Sequence, residues 1–383
     1  MKRKNNFTLN PDEIFRYSRQ IVLPEIGITG QEKLKESSVL IIGVGGLGSV
    51  QALYLAGAGV GRIGLIDDDV IDISNLHRQV IYSESDAGVS KVSAVEKRLR
   101  DLNPFVQTDV YNELLTAKNA EKIVKEYDII IDGSDNFSTR YLVNDICVFF
   151  KKPVIYGSVY RFDGQVSVFD SKNGPCYRCL YPEPPPPGMV ANCIIGGVLG
   201  TLPGTVGLIQ ATEAIKIICG IGSSLSGYLL IFNIQDWDFQ KIKIVKNPDC
   251  RVCGKNPVIT SLINYEKFCG EEEIILPAEW EISAPNLQKM MASHEKLSVI
   301  DIREPQEVQI CRLAGTKLIP EKEFVRQPNR FDKKDQIVLF CRSGIRSARA
   351  VVLFREKGFS NIRHLRGGII AWIEEIDSSL PRY

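Results

Sequence analysis

VLIIGVGGLGSVQALYLAGAG, residues 39–59, decides how this chain folds. An apolar β-branched run, 39–42, breaks at Gly43, Gly45, Gly46 and Gly48, and apolar residues resume at helical spacing through Leu53, Leu55 and Ala56. The pattern predicts a strand, a tight glycine turn and a helix. Glycines suit that turn because the backbone must bend sharply and let a phosphate approach N–H groups at a helix N-terminus. A second strand, 62–66, delivers Asp67 nineteen residues beyond Gly48, where a carboxylate can accept bonds from ribose hydroxyls. The unit reads as a nucleotide binder.

The residues downstream favour a triphosphate. A dinucleotide carries only a pyrophosphate, whereas the three phosphates of ATP call for cations and a metal. The acidic cluster Asp67, Asp68, Asp69 is followed by SNLHRQ (74–79), which holds Ser74, Asn75, His77 and Arg78, and then by Lys91.

RYSRQ (16–20), GVGGLG (43–48), DDDVIDISNLHRQ (67–79), SKV around Lys91, DGSDN (132–136) and two later Cys-x-x-Cys pairs together resemble the ubiquitin-activating-enzyme-like superfamily. Within it the chain looks closest to the molybdopterin-synthase and thiamine-pathway sulfur-carrier adenylyltransferases, over about residues 14–254. The resemblance implies Arg19, Arg78 and Lys91 at the phosphates, Asp135 on Mg2+ and Asp67 on the ribose. Asp69, Ser74, Asn75 and Asn136 fall in the same nucleotide site. In the superfamily the arginine at the place of Arg19 reaches the triphosphate of the other subunit, so a homodimer is expected. The plain alternatives are a solvated surface arginine at 19 and a helix cap at Asp135.

With 383 residues there is room for two or three domains, each with its own core. The 47 Lys and Arg balance 46 Asp and Glu, so no general attraction to nucleic acid or an anionic membrane is expected. Ten cysteines, four of them in two Cys-x-x-Cys pairs, favour a metal in a reducing compartment over a disulfide scaffold. The basic N-terminus lacks an apolar stretch behind it and no window reaches the length of a membrane helix. A cytoplasmic protein is expected.

Along the chain, strands alternate with helices, including helix 117–125, strand 128–131 and helix 137–144. This predicts an α/β fold: a doubly wound, Rossmann-like, mainly parallel sheet. Residues 153–170 read as antiparallel strands around a turn at Asp163-Gly164, and Pro184–Pro187 cannot be regular structure. A helix at 210–219 and strands 228–233 and 241–245 close this domain, expected to span 1–268. A linker, 269–279, carries its most solvated stretch at the acidic run 271–273, and a smaller α/β domain spans 280–383.

Cys176, Cys179, Cys250 and Cys253 supply four thiolates for tetrahedral Zn2+ with no open position, hence a structural site. In the second domain, strand 337–340 runs into CRSGIRSARA, where Cys341 faces backbone N–H groups and a helix N-terminus, with Arg342, Arg346 and Arg349 nearby. Such surroundings stabilise an anionic thiolate or persulfide. With VIDIREPQEV and HLRGGIIAW, this module resembles a rhodanese domain, although CRLAGTKLIP departs from the usual Gly-His-Ile-Pro-Gly run. A buried core cysteine or an inactive phosphatase-like loop are the alternatives for Cys341. Cys193 stands where some relatives have a second acting cysteine; it could accept an acyl group, resolve a persulfide, or be a plain loop thiol.

The combined resemblance implies ATP-dependent adenylylation of the C-terminal glycine of a ubiquitin-like sulfur-carrier protein ending in Gly-Gly. Sulfur from a Cys341 persulfide, loaded by a donor such as a cysteine desulfurase, would then give the carrier thiocarboxylate. A nicotinamide-dependent oxidoreductase and a non-catalytic carrier-binding scaffold are the rival readings. The sequence leaves the carrier, its pathway and the donor open.

Overall fold

A computed structural model describes residues 9–186, 196–271, 274–293 and 296–383. The chain divides into two compact units, residues 1–271 and 272–383. In the first, eight strands form one sheet: β1 (Ser38–Ile42), β2 (Arg62–Ile66), β3 (Gln107–Tyr111), β4 (Ile129–Asp132), β5 (Val154–Tyr160), β6 (Asp163–Phe169), β7 (Tyr228–Asn233) and β8 (Asp238–Lys243). The order is β3-β2-β1-β4-β5-β6-β7-β8, parallel from β3 to β5 and antiparallel from β5 to β8.

Alternate residues of β1 serve opposite faces. Val39 and Ile41 pack with the helices Gly48–Ala58, Lys91–Leu102 and Thr201–Cys219, whereas Leu40 and Ile42 pack with Ala120–Val124 and Phe137–Phe150. Burial on both faces is why β1 reads as an unbroken apolar run. The doubly wound sheet and its antiparallel extension are as the sequence pattern predicted. Strand order reverses between β1 and β4, and open α/β sheets bind ligands beyond the carboxyl ends of strands at such a point.

Local boundaries differ from the sequence reading for identifiable reasons. The hairpin between β5 and β6 turns at Arg161-Phe162, with Arg161 at φ +54°, not at Asp163-Gly164, which pair in the ladder with Tyr160 and Val159. The helix expected from 210 begins at Thr201, because Pro203 sits in the first turn, where no intrahelical N–H is needed. The helix from Phe137 continues to Phe150 and stops at Lys151, φ +52°. The last strand lies at Asp238–Lys243, earlier than 241–245. Residues 269–271, read as linker, belong to the first unit: Cys269 is buried in its core, and Glu271 bonds the helix Phe137–Phe150 instead of facing solvent.

The second unit is a five-stranded sheet of β9 (Glu281–Ile282), β10 (Leu297–Asp301), β11 (Lys317–Leu318), β12 (Gln336–Phe340) and β13 (Ile362–Leu365). Its order is β11-β10-β12-β13-β9, every pair parallel. Helices Ala284–Ala292 and Gly368–Glu375 cover one face, Glu321–Arg326 and Ile345–Glu356 the other. Among the described residues no helix is long and apolar enough to cross a membrane.

Candidate active site and metal centre

The glycine loop after β1 is built by close backbone approach. Gly43 adopts φ +81°, and a side chain on Gly48 would lie 1.9 Å from the Gly43 carbonyl oxygen. Two side chains hold the loop: Val44 N–H donates to Asp67 Oδ2 at 2.8 Å, and the Tyr82 hydroxyl donates to the Val44 carbonyl at 2.7 Å. The other Asp67 oxygen accepts from Asp69 N–H at 2.9 Å. Burial pushes the Asp67 carboxyl above the usual carboxylate range, against the pull of Lys91 and of those two backbone bonds.

Lys91, nearly buried at the start of its helix, donates to Asp69 Oδ2 at 2.6 Å, while Asp69 is largely exposed. Arg78 Nη1 and His77 Nδ1 both contact the Ser74 carbonyl, at 3.2 and 3.0 Å. The Ser74 N–H is bonded by Asp72, and the Asn75 side chain lies 3.5 Å from Ser74 Oγ. Gln79, which the sequence reading passed over, is buried beside Gly45 with its side-chain carbonyl oxygen unpartnered.

The loop after β4 meets the glycine loop, since a side chain on Gly43 would lie 3.1 Å from the Gly133 carbonyl oxygen. Asp132 is buried and accepts from Ser134 N–H and Oγ; burial raises its pKa. Asp135, next in the loop, is exposed. Asn136 is the helix cap, its oxygen accepting from Thr139 N–H at 2.8 Å and Ser138 Oγ at 2.9 Å. Arg140 stands behind this loop, 5.7 and 5.4 Å from the rings of Phe137 and Tyr156, with Nη2 on the Ser134 carbonyl.

Arg19 is not brought to this site within one chain. It is exposed on the helix Ser18–Ile21, whose neighbour Gln20 bonds the Ala58 carbonyl, at the far end of the helix that starts at the glycine loop. That helix has 11 residues, which puts its two ends on the order of 16 Å apart at 1.5 Å per residue.

The four cysteines expected as ligands do converge. Sγ–Sγ distances are 3.9 Å for Cys176–Cys179, 3.6 Å for Cys176–Cys250 and 3.4 Å for Cys179–Cys253. A tetrahedron with bonds of about 2.3 Å from metal to sulfur has edges of about 3.8 Å, so the cluster fits Zn2+. Between the first two cysteines lies a residue the motif reading ignored. Arg178 makes a bidentate pair with Asp145, both contacts at 2.8 Å and both residues fully buried, and its guanidinium stacks 4.6 Å from the rings of Tyr141 and Phe268. The Tyr265 hydroxyl adds a third bond to Asp145 at 2.9 Å.

In the second unit Cys341 follows β12 at the carboxyl edge of the sheet, its sulfur accepting from Gly344 N–H at 3.2 Å, with Ser347 Oγ at 3.6 Å. Arg346 is held by Glu307 through contacts of 2.6 and 2.8 Å; burial opposes charge on Glu307, but that pairing keeps its carboxyl below the usual range. Arg342 donates to the Tyr383 carbonyl at 2.7 Å, and Arg303 donates to the Tyr383 hydroxyl at 2.6 Å. His364 lies 3.5 Å from Ser347 Oγ and 3.3 Å from Glu281. Glu307 and His364 lie within the quoted motifs VIDIREPQEV and HLRGGIIAW but show no role there, and Tyr383 lies in none, because their sequence distance from Cys341 hides the contact. Cys193, Pro187 and His294 lie outside the described residues.

Fold and sites define an α/β unit with a glycine-rich loop at the strand-order reversal and a closed four-cysteine centre, and a second unit that holds a buried cysteine, Cys341, against the Gly344 N–H after β12. A model of the ThiF family matches residues 17–252, and one of the rhodanese-like domain matches 283–375. The chain is 41 % identical over 403 residues to the adenylyltransferase and sulfurtransferase MOCS3 of Culex quinquefasciatus, covering 100 % of this chain and 92 % of that protein. It is 43 % identical over 385 residues to the probable adenylyltransferase/sulfurtransferase MoeZ of Mycobacterium tuberculosis, covering 98 % and 96 %. MccB of E. coli shares the fold at TM-score 0.58 and 24 % identity, over 63 % of this chain and 75 % of that one. The chain belongs to the ThiF family and carries a rhodanese-like domain. It is an enzyme of the adenylyltransferase and sulfurtransferase class.

Proposed function

We propose that the first unit adenylylates the C-terminal glycine of a ubiquitin-like sulfur-carrier protein and that the second unit provides the sulfur. The observation that carries this reading is the meeting of the glycine loop with Gly133 and Ser134 where strand order reverses, with the Arg78 backbone at Gly46 and the Lys91–Asp69 pair beside the Asp67–Asp69 cluster. The carrier carboxylate is already an anion, so the chain's task is positioning and charge neutralisation; the carboxylate oxygen bonds to the α-phosphorus and pyrophosphate leaves. Arg78 and Lys91 face the phosphates, the glycine loop gives N–H groups, and Asp67 with Asp69, Ser74 and Asn75 lines the nucleoside. Asp135 would hold Mg2+, and bound there the ion would offset phosphate charge; the oxygens of Asp67, Asp68 and Asp69, within 4.8 Å of one another, form an acidic group beside the glycine loop that does not include Asp135.

Arg19 acts in the other subunit of a homodimer, a reading supported by its distance from the glycine loop of its own chain. The terminal sulfur of a Cys341 persulfide, loaded by a donor such as a cysteine desulfurase, bonds to the acyl carbon and AMP departs. A second thiol, for which Cys193 is the candidate in this chain, then attacks the Cys341 sulfur. The thiocarboxylate leaves and a disulfide remains. The cytosol suits this chemistry and the four free thiols of the metal centre.

The deciding experiment is exchange of labelled pyrophosphate into ATP in the presence of Gly-Gly carriers. Exchange that depends on a carrier's intact tail is expected. Absence of exchange with every carrier of the same genome would sink the proposal, and NADH binding would replace it with a redox reading.

A further inference from the structure

The helix Phe137–Phe150 begins immediately after Asp135 and Asn136, so its first turn fixes how those two residues face the nucleotide site. The first N–H groups of a helix have no intrahelical partner and carry the positive end of its dipole. Asn136 satisfies Thr139 N–H. The two before it are taken by one side chain from far along the chain: Glu271 Oε1 accepts from Phe137 N–H at 3.1 Å, and Oε2 accepts from Ser138 N–H at 3.2 Å. A carboxylate over both amides meets the free N–H groups and the positive end of the helix dipole together.

Glu271 is itself held in place. The helix Tyr265–Cys269 ends in Gly270 at φ +63°, and Glu271 N–H returns to the Glu266 carbonyl at 2.9 Å. The start of that helix is pinned by the bond from Tyr265 to Asp145, the carboxylate that pairs with Arg178 between Cys176 and Cys179. A series of contacts, buried at Asp145 and part-buried at Glu271, thus runs from Arg178, between two of the cysteines, to the first turn beside Asp135. Neither end of it is adjacent in sequence to the other.

We propose that Glu271 is a positioning residue of the adenylyl-transfer site: its carboxylate locks the first turn of the helix Phe137–Phe150 and so aims Asp135 and Asn136. The inference rests on the nucleotide reading above and adds a residue to it that lies outside every motif of that site. Its charge acts through the helix, with no contact to substrate.

The test compares Glu271→Gln, which keeps shape and removes charge, with Glu271→Asp, which keeps charge on a shorter arm, and with Glu266→Gln, a neighbouring carboxylate that touches neither amide. ATP binding is titrated calorimetrically against Mg2+, and amide hydrogen exchange is followed at Phe137 and Ser138. For Glu271→Gln the Mg2+ concentration that half-saturates ATP binding should rise about fivefold, the scale of a carboxylate at a helix end, and both amides should exchange faster. Glu271→Asp should recover part of each change and Glu266→Gln should show neither. Faster amide exchange with an unaltered Mg2+ titration would overturn the proposal, leaving Glu271 a purely structural cap. Unaltered amide exchange would overturn it as well. A wild-type chain that binds no ATP at any Mg2+ concentration would overturn both this inference and the nucleotide reading, and the wild-type titration alone tells that case apart.

Discussion

Lys91 Nζ is bonded to Asp69 at 2.6 Å, so a nearly buried ammonium is paired with a largely exposed carboxylate next to the glycine loop's Asp67 anchor. Phosphate oxygens would compete with an exposed carboxylate for a nearly buried ammonium, and the low-dielectric side of that pair makes the ammonium the harder group to leave alone. Lys91→Met should therefore reduce pyrophosphate exchange by about 100-fold or more, the usual loss on removing one preorganised charge. Asp69→Asn should chiefly lower stability, by unpairing Lys91. Exchange within twofold of wild type in Lys91→Met would remove Lys91 from the phosphate site.

The thiolate centre predicts one Zn2+ per chain. Stripping it with a strong chelator under reducing conditions should lower the melting midpoint of the first unit by about 10 °C or more, since each kcal/mol shifts a domain of this size by roughly 2–4 °C. Cys250→Ser should reproduce the shift without chelator. A metal-free preparation with an unchanged midpoint would contradict the assignment.

Arg178→Met should cost about 3–5 kcal/mol in urea unfolding of the first unit, because Asp145 is left charged and buried with, among the described residues, only Tyr265 and Asn144 as side-chain donors. Adding Asp145→Leu should return part of that loss, which a simple packing defect would not allow.

Cys341→Ala should abolish transfer of sulfur from thiosulfate to cyanide while leaving pyrophosphate exchange intact, and retained transfer would mean another thiol carries the sulfur. His364 behind the loop gives a pH signature. Burial lowers its pKa below 6.5, although Glu281 pulls the other way. Between that lowered value and 6.5 the unfolded chain binds more protons than the folded one, so the second unit loses stability as pH falls through this window. The carbon-bound ring protons of His364 should titrate below 6.5 by NMR, and His364→Gln should flatten the slope.

Sequence periodicity and local motifs made the sheet, the glycine turn and the four thiolates legible, because each is encoded within a few residues. What stayed hidden depends on contacts across the chain. The offset of Asp67 points to a ribose, but nothing local shows that its two oxygens also hold the backbone of Val44 and Asp69. Arg178 is invisible as a structural residue until Asp145 is seen against it, and the β5–β6 turn was misplaced because Asp-Gly is the stronger turn signal while Arg161 takes the left-handed conformation. The short strands β9 and β11 have two residues each, too few to show any alternation.

Cys179 and Cys250 meet at one metal-sized cluster, so everything between them is an excursion tied off at its base. A protease cut between Cys179 and Thr201 would sever the polypeptide without parting the pieces. The metal, the pairing of β6 with β7 and the core packing of the helix Thr201–Cys219 would keep both fragments in one particle, so chelation alone would not release them.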